Sequence, residues 1–523
     1  MSLSRAPLEE AKASTGSAVA PAIQGAMFAL LVLFSMNLLN YVDRYVLAAV
    51  GKAIQVDLSL PDDQFGWLGS AFIIVYTVVS PVVGWLGDRT SRRKLLAFGV
   101  GLWSIATVGT AFAANFGQMF LARAILGVGE ASYGVVAPTL LADLFTVKSR
   151  GRVMGIFYLA LPVGTAIGYG VGGFVQKVAT DHAEAITAAM AAVGLGWLAP
   201  YMVEWRAAFW VVGIPGIVLA LCGLMIHEPK RGASDATAKA REGSASGVSS
   251  DGAIEPAAAP VIAAVDQGNA LDLLRTPSYL LNTAGMAAVT FTTGAFGHWM
   301  PNYFQRVHGT QPEEIWQIGI ALACAGLLGV LMGMWLPDRL RQITKRAYML
   351  WAAAAVLLAV PFGAVGLVIE NRWISLALLF VASVMLSSCL GPCNTVTANV
   401  VAANRRAAGY ALSIFLLHLL GDIPSPWLIG KLSVELARPE VRASGTGQLL
   451  ESIGAKPSTP LGDAGGHDEL GLANLTAGMF VIIPVLLIGS ACFFVGARFL
   501  PRDEERASAL SAGQAEADAG LPH

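Results

Sequence analysis

Apolar residues gather in twelve long blocks, parted by short polar segments that are often basic. The blocks are 25–50, 65–87, 95–114, 117–145, 151–176 and 205–226, then 278–307, 315–337, 347–370, 373–403, 407–433 and 472–499. A helix that crosses a bilayer needs about 20 mostly apolar residues. Each block therefore predicts one span, and the chain reads as an all-α membrane protein of twelve transmembrane helices. The break at 227–270 is polar and rich in Ala, Gly, Ser and Pro, which predicts a flexible linker. It separates two six-helix halves, 25–226 and 271–500. Residues 181–204 are too few for a further span with its turns. Their Ala, Met, Leu and Trp predict an external helix lying in the membrane interface. Residues 434–471 predict a polar external loop, and 501–523 an acidic tail. Residues 1–24 predict a disordered tail, because they lack the apolar core of a signal peptide.

Basic residues orient the spans. Arg89, Arg92, Arg93 and Lys94 lie between spans 2 and 3, and Lys148, Arg150 and Arg152 between spans 4 and 5. Arg339, Arg341, Lys345 and Arg346 lie between spans 8 and 9, and Arg405 and Arg406 between spans 10 and 11. These loops share one parity, hence one side, and Lys and Arg favour the cytoplasm. Both termini and the linker are then expected in the cytoplasm, with the spans in the cell (inner) membrane.

Composition narrows the class. The 523 residues are 55% hydrophobic and 13% charged, where soluble chains carry about 25% charged residues. Mean hydropathy is +0.61. The net charge of −1 gives no basic field for a nucleic acid partner. Cys222, Cys324, Cys389, Cys393 and Cys492 all fall in apolar blocks, so no disulfide framework is expected. Cys389 and Cys393 share a helix face, but two thiols without further ligands make a poor metal site, and no metal is expected. No phosphate-binding loop, nucleophile elbow or metal-ligand spacing occurs, so neither an enzyme nor an organic cofactor is expected.

An internal repeat joins the halves. Trp85-Leu86-Gly87-Asp88-Arg89 ends span 2, and Trp335-Leu336-Pro337-Asp338-Arg339 ends span 8, 250 residues later with four of five residues matching. Duplicated six-helix halves imply a pseudo-two-fold axis along the membrane normal and a cavity between them. The stretch Gly84 to Lys94, GWLGDRTSRRK, resembles the loop 2–3 signature of the major facilitator superfamily, with Ser91 where a glycine is usual. That resemblance implies the major facilitator superfamily fold. Asp88 stands at a helix C-terminus, where the dipole disfavours an anion. In the superfamily the compensating positive group is the N-terminal end of span 11. Gly84, Asp88 and Arg89 are thus expected to latch the cytoplasmic side, and Asp338 with Arg339 to do the same against span 5. The alternative is a solvated basic loop. In span 5, Pro162, Gly164, Gly168, Gly170, Gly172 and Gly173 predict tight packing on span 8, with or without a hinge.

Charges inside the spans are the sharpest chemical signal. Span 1 holds Asp43 and Arg44, and span 4 holds Arg123 and Glu130. An unpaired charge near the bilayer centre costs about 2.5–3.5 kcal/mol on insertion scales. Arg123 and Glu130 are seven residues apart and share a face. Two acids and two bases at similar depth can exchange partners when a proton or an anionic substrate arrives. A static buried cluster is the alternative. His418 and Asp422 of span 11 are i and i+4 and share a face, fit for cavity lining, proton handling or plain packing. His298 and Asn302 of span 7 form a polar, aromatic patch with Trp299 and Tyr303, either at the cavity or in the core.

Four stretches together carry a closer resemblance: NYVDR at 40–44, RAILGVGEASYGVVAPTLLADLF at 123–145, IFYLALPVGTAIGY at 156–169 and HLLGDIPSPWLIG at 418–430. They resemble the Spinster family of lipid transporters over nearly the whole membrane domain. The resemblance implies a monomer that moves single-chain lipids, lysophospholipid or sphingosine-phosphate-like, by alternating access. It implies that Asp43, Arg44, Arg123 and Glu130 couple transport to a proton gradient. It also places Arg44, Glu130, His418 and Asp422 at the substrate, where Tyr41 and Tyr133 of the same motifs, with His298 and Asn302, are expected to join them. Two other readings stay open: a proton-coupled symporter of small organic anions, and an uncoupled lipid scramblase or sensor.

Overall fold

The computed structural model describes residues 25–229, 270–402, 405–455 and 473–519. The expected tail 1–24 and most of the expected linker lie outside the described residues. All twelve expected spans are helical. Span 1 is α1 (Ala26–Ala49), followed by the short α2 (Gly51–Asp57). Spans 2, 3 and 4 are α3 (Asp62–Arg89), α4 (Arg92–Thr110) and α5 (Phe116–Leu144). Span 5 is α6 (Val147–Tyr158) with α7 (Ala160–Asp181). Then come α8 (Ala183–Ala192), a 3-10 turn (Gly196–Tyr201) and span 6, α9 (Arg206–Leu224). In the second half, spans 7, 8 and 9 are α10 (Pro277–Val307), α11 (Trp316–Arg341) and α12 (Ala347–Gly366). Span 10 is α13 (Arg372–Ser387) with α14 (Leu390–Val400). Span 11 is α15 (Arg406–Leu417), a π turn (His418–Asp422) and α16 (Pro424–Glu435). Two short helices follow, α17 (Pro439–Ala443) and α18 (Gly445–Ser452). Span 12 is α19 (Leu475–Met479) with α20 (Ile482–Gly496), and α21 (Leu500–Ala519) ends the described chain.

Among the described residues, ten helices are long and apolar enough to cross a membrane. Spans 3 and 7 are not among them: Arg92, Arg93 and Lys94 open the first, and Asn, Thr, His and Gln side chains dilute the second. The breaks within spans 5, 10 and 12 have a common cause. A proline removes one backbone N–H and crowds the carbonyl four residues earlier. Pro162, Pro392 and Pro484 act in this way on Tyr158, Ser388 and Phe480, where the helices of spans 5, 10 and 12 part. Pro81, Pro138, Pro215, Pro301, Pro337 and Pro361 are absorbed in continuous helices.

The packing shows how the halves meet. One apolar core at the end that carries α2 and α8 is shared by both halves, from Val46, Phe65 and Trp205 to Trp299, Tyr303 and Ile429. Towards the opposite end, which carries the basic loops, the core divides. One part belongs to spans 1–6, around Trp103, Tyr133 and Leu140. The other belongs to spans 7–12, around Tyr279, Met349 and Phe493. Among the described residues, packing between halves runs through α3 with the π turn and α16, α7 with α11, and α1 with α10. The basic-end segments α6 and α15 take no major part in it. Among the described residues, the molecule is thus closed at the far end and parted at the basic end.

Three expectations change. The span 5 glycines divide their work: Cβ atoms at Gly164, Gly168 and Gly172 would meet span 1 at Tyr41, Val42 and Ala49, 2.5, 2.8 and 2.6 Å away. Contact with span 8 runs through Gly173 against the Pro312 carbonyl and Gly319 against Ala166 and Tyr169. Span 5 thus packs on two neighbours: an i, i+4 stripe of small residues admits span 1, while Gly170 and Gly173 face the start of span 8 at Trp316 and Pro312. The external loop at 434–471 is partly ordered as α17 and α18, with 456–472 outside the described residues. The acidic tail is the helix α21, anchored to the second half. Asp503 accepts from the Ser278 amide (3.0 Å) and hydroxyl (2.6 Å) at the N-terminus of α10, and Glu504 pairs with Arg341 at 3.0 Å. An anion at a helix N-terminus meets free amides and a favourable dipole.

Candidate functional site

Span 1 and span 4 bring their four charges together. The Arg44 guanidinium donates to Glu130 Oε2 at 2.7 Å. Glu130, Asp43 and Arg123 are 1%, 1% and 2% exposed, while the Arg44 side chain is 35% exposed. Arg44 is therefore the member of the cluster that an incoming group can reach. Asp43 accepts from the hydroxyl of Thr107 in span 3. Arg123 lies close enough for its charge to act on both Asp43 and Glu130, yet its Nε and Nη1 are buried without a hydrogen-bond partner. Glu130 Oε1 and Asp43 Oδ1 are likewise buried and unpartnered. Glycines make the approach of spans possible. A Cβ on Gly127 would stand 2.7 Å from the Phe72 carbonyl of span 2, and one on Gly129 2.6 Å from the Gly99 carbonyl of span 3.

Aromatic rings continue the site. Arg44 lies 4.6 Å from the Phe72 ring centre and 5.4 Å from that of Tyr41, and Arg123 lies 5.5 Å from Phe72. Phe72 so serves two arginines through its π face. From Phe72 the contacts run to Tyr76 (6.0 Å) and from Tyr76 to His418 of the other half (6.3 Å). His418 Nδ1 and Asp422 Oδ2 are 2.8 Å apart. Both belong to the π turn, where the Ile423 amide reaches back five residues to His418. Such turns insert one residue into a helix and often mark functional positions.

A second polar assembly closes the far end. Arg306 of span 7 donates to both Asp62 oxygens, at 2.9 and 2.7 Å, with their side chains 0% and 1% exposed. Gln55 and Ser433 also donate to Asp62, at 2.9 and 2.7 Å. Gln55 in turn accepts from Arg306 at 2.6 Å and Asn302 at 3.0 Å. Gln55 and Asp62 come from the first half, and Asn302, Arg306 and Ser433 from the second. A carboxylate that accepts two hydrogen bonds from a cation and two from neutral donors is fully satisfied, which makes this a strong tie between halves.

The other expected residues fall as follows. Tyr41 lies beside Arg44 in the cluster. Tyr133 lies within the first-half core: its hydroxyl donates to the Leu33 carbonyl at 2.6 Å and its ring packs on Trp103 and Phe157. Its one donor is spent on that carbonyl and the residue is buried. Asn302 is enclosed in the far-end tie and not in the charge cluster. His298 lies between Phe65 and Trp299, at 4.7 and 5.1 Å, with Nε2 buried and unpartnered. At the basic end, Gly84 and Asp88 line a cavity of about 310 Å³ with first-half residues such as Arg92, Val135 and Asp143. Asp338 accepts from Tyr348 of span 9 at 2.8 Å, so its described partner lies in its own half and not in span 5. The repeat keeps its geometry in both halves: Arg89 covers the Trp85 ring at 4.3 Å, and Arg339 the Trp335 ring at 3.7 Å. Thr107, Phe72, Tyr76 and the Gln55–Asp62–Arg306–Ser433 group were not singled out from sequence. Asp62 and Arg306 were legible only as charges at the margins of two blocks.

Twelve helices in two similar halves, parted at one end around buried charges, define a secondary transporter. The family model for the Major Facilitator Superfamily matches residues 33–424. Protein spinster of Drosophila melanogaster is 33% identical over 416 residues, covering 78% of this chain and 62% of that protein. Protein spinster homolog 1 of Mus musculus is 34% identical over 425 residues, covering 78% of this chain and 73% of that one. A crystal structure of a bacterial homolog to the human lysosomal transporter Spinster, inward-facing and unoccupied, shares the fold. Its TM-score is 0.74 at 24% identity, covering 92% of this chain and 98% of that one. The chain belongs to the Spinster family of the Major Facilitator Superfamily, a family of transporters and not of enzymes.

Proposed function

We propose that this protein moves lysolipids across the inner membrane by alternating access, driven by a proton gradient, as a monomer without a cofactor. The basic loops and both termini face the cytoplasm in this reading, so the parted state is open inward. The observation that carries it is the Arg44–Glu130 pair: a buried carboxylate held by one arginine whose side chain is a third exposed. An anionic lipid head that draws Arg44 away leaves Glu130 buried without its partner, and a proton then neutralises it. Substrate and proton so compete for one charge network. The rings of Tyr41, Phe72 and Tyr76 offer an apolar wall for the acyl chain.

The test is uptake of labelled lysophospholipid into proteoliposomes with and without a pH gradient. Gradient-dependent uptake that vanishes when the acyl chain is removed supports the reading. Equal uptake of tail-free organic anions would favour the organic-anion symporter. Lipid movement that ignores the gradient would favour a scramblase.

A further inference from the structure

Thr107 sits at 0% exposure in span 3 and has one hydroxyl hydrogen with two acceptors in reach. One is Asp43 Oδ2. The other is the Trp103 carbonyl at 3.0 Å. That carbonyl is also four residues before the Thr107 amide, its partner in the helical ladder, so it does not depend on the hydroxyl. A hydroxyl can donate once and accept through its lone pairs. Its two bonding patterns therefore match the two states of the acid beside it. When Asp43 is ionised, Thr107 donates to it. When Asp43 takes a proton on Oδ2, that proton is donated to Thr107 Oγ1, and the hydroxyl hydrogen turns to the Trp103 carbonyl. Neither Thr107 Oγ1 nor Asp43 Oδ2 is left without a partner in either pattern.

Among the described residues, nothing else in contact with Asp43 offers this adaptability. Its other oxygen, Oδ1, is buried without a partner. The charged groups that act on it are Arg123 and Glu130 from span 4 and Arg44 from its own helix. None of these donates a hydrogen bond to Asp43, and Arg44 is committed to Glu130. We infer that Thr107 is the positioning residue of the Asp43 proton site: its hydroxyl holds the carboxylate when charged and receives the acid proton when neutral. The inference rests on the reading of Asp43 as a proton-carrying group, and its role is separate from the Arg44–Glu130 exchange.

The hydroxyl binds the charged form more strongly than the neutral one, because charge-assisted hydrogen bonds are the stronger class. Its removal therefore favours the protonated acid, by roughly one pH unit. The experiment is an infrared titration of the purified full-length protein. The protonated-carboxyl band of Asp43 is assigned by its disappearance in Asp43→Asn. The expected result is a midpoint moved to higher pH by roughly one unit in Thr107→Val, with Thr107→Ser close to wild type because it keeps the hydroxyl. Thr107→Ala replaces the valine variant if that one does not fold. An unmoved midpoint in the hydroxyl-free variant overturns the inference. So does a serine variant that shifts as far as valine, or a wild-type acid that shows no titration. Gradient-driven lysophospholipid uptake is measured in parallel. If the midpoint moves as expected while wild-type uptake ignores the gradient, Thr107 keeps its role and proton coupling is what fails.

Discussion

Arg306 and Asp62 form a two-pronged ion pair across the two halves, with side chains 0% and 1% exposed. Ligation by Gln55 and Ser433 leaves the carboxylate fully hydrogen-bonded. The pair stands at the closed end, so an alternating-access cycle must break it each time that end opens.

Arg306→Met is expected to open the far end. Removing one partner of a buried pair typically costs about 3–5 kcal/mol, because the other charge is left buried alone. That cost falls on the far-end-closed state alone. A cysteine placed at Ala49, whose carbonyl accepts from Gln305 at 3.2 Å, should become accessible to an impermeant maleimide in the Arg306→Met background. Labelling as slow as in the Ala49→Cys parent would show that the pair is not the tie.

Glu228 clamps the start of the linker to loop 2–3. It accepts from the Ser91 hydroxyl at 2.5 Å and the Arg92 and Arg93 amides at 2.8 and 3.4 Å. Burial works against the charged carboxyl, but these hydrogen bonds outweigh it and hold the group below its usual range. A depressed carboxyl contributes its stability above the ordinary carboxylate range and loses it as pH falls through the depressed value. The protection of the amides at residues 92–94, taken relative to intrinsic exchange at each pH, should therefore stay high at neutral pH and fall below about pH 4. Glu228→Gln should give lower protection at neutral pH and little further change on acidification.

Asp503 caps the N-terminus of span 7 from the far side of the chain. Asp503→Ala leaves the Ser278 amide and hydroxyl without their acceptor, a loss of about 1–3 kcal/mol. The thermal midpoint in detergent should fall, and protease should cut α21 sooner. Serine at Ser278 replaced by alanine should produce a smaller drop, since the amide keeps its bond to Asp503.

What could be read from the sequence was whatever the chain writes in one dimension. Twelve apolar blocks become twelve spans because a bilayer leaves a helix no other way to satisfy its backbone. The WLGDR and WLPDR ends announce the repeat, and charges at 43, 44, 123 and 130 announce the cluster because each is costly in lipid. The far-end tie was not legible. Gln55, Asp62 and Ser433 look like ordinary polar residues at block margins, and only the closure of the halves brings them to Arg306. The π turn was equally hidden, since His418 and Asp422 have the spacing of a plain helical pair. Tyr133 shows the limit of a motif: it lies three residues from Glu130, yet its hydroxyl turns to the Leu33 carbonyl. The span 5 glycines were recognised as a packing face against span 8, which Gly170 and Gly173 do meet, but the second neighbour, span 1 at Gly164, Gly168 and Gly172, was missed, because spacing shows that helices come close and not how many.

Glu130 offers the most direct test of proton coupling. Glu130→Gln nearly preserves shape and can still accept from Arg44, so the fold and lipid binding should survive. What it loses is the site that exchanges a proton for Arg44. The measurement is lysophospholipid uptake by the purified variant in proteoliposomes, with and without an imposed pH gradient, beside wild type. The expected result is gradient-stimulated uptake in wild type and uptake in Glu130→Gln that is the same with and without the gradient. A variant still driven by protons as wild type is would contradict the assignment of Glu130 as the coupling acid, and would pass that role to Asp43 or to the His418–Asp422 pair.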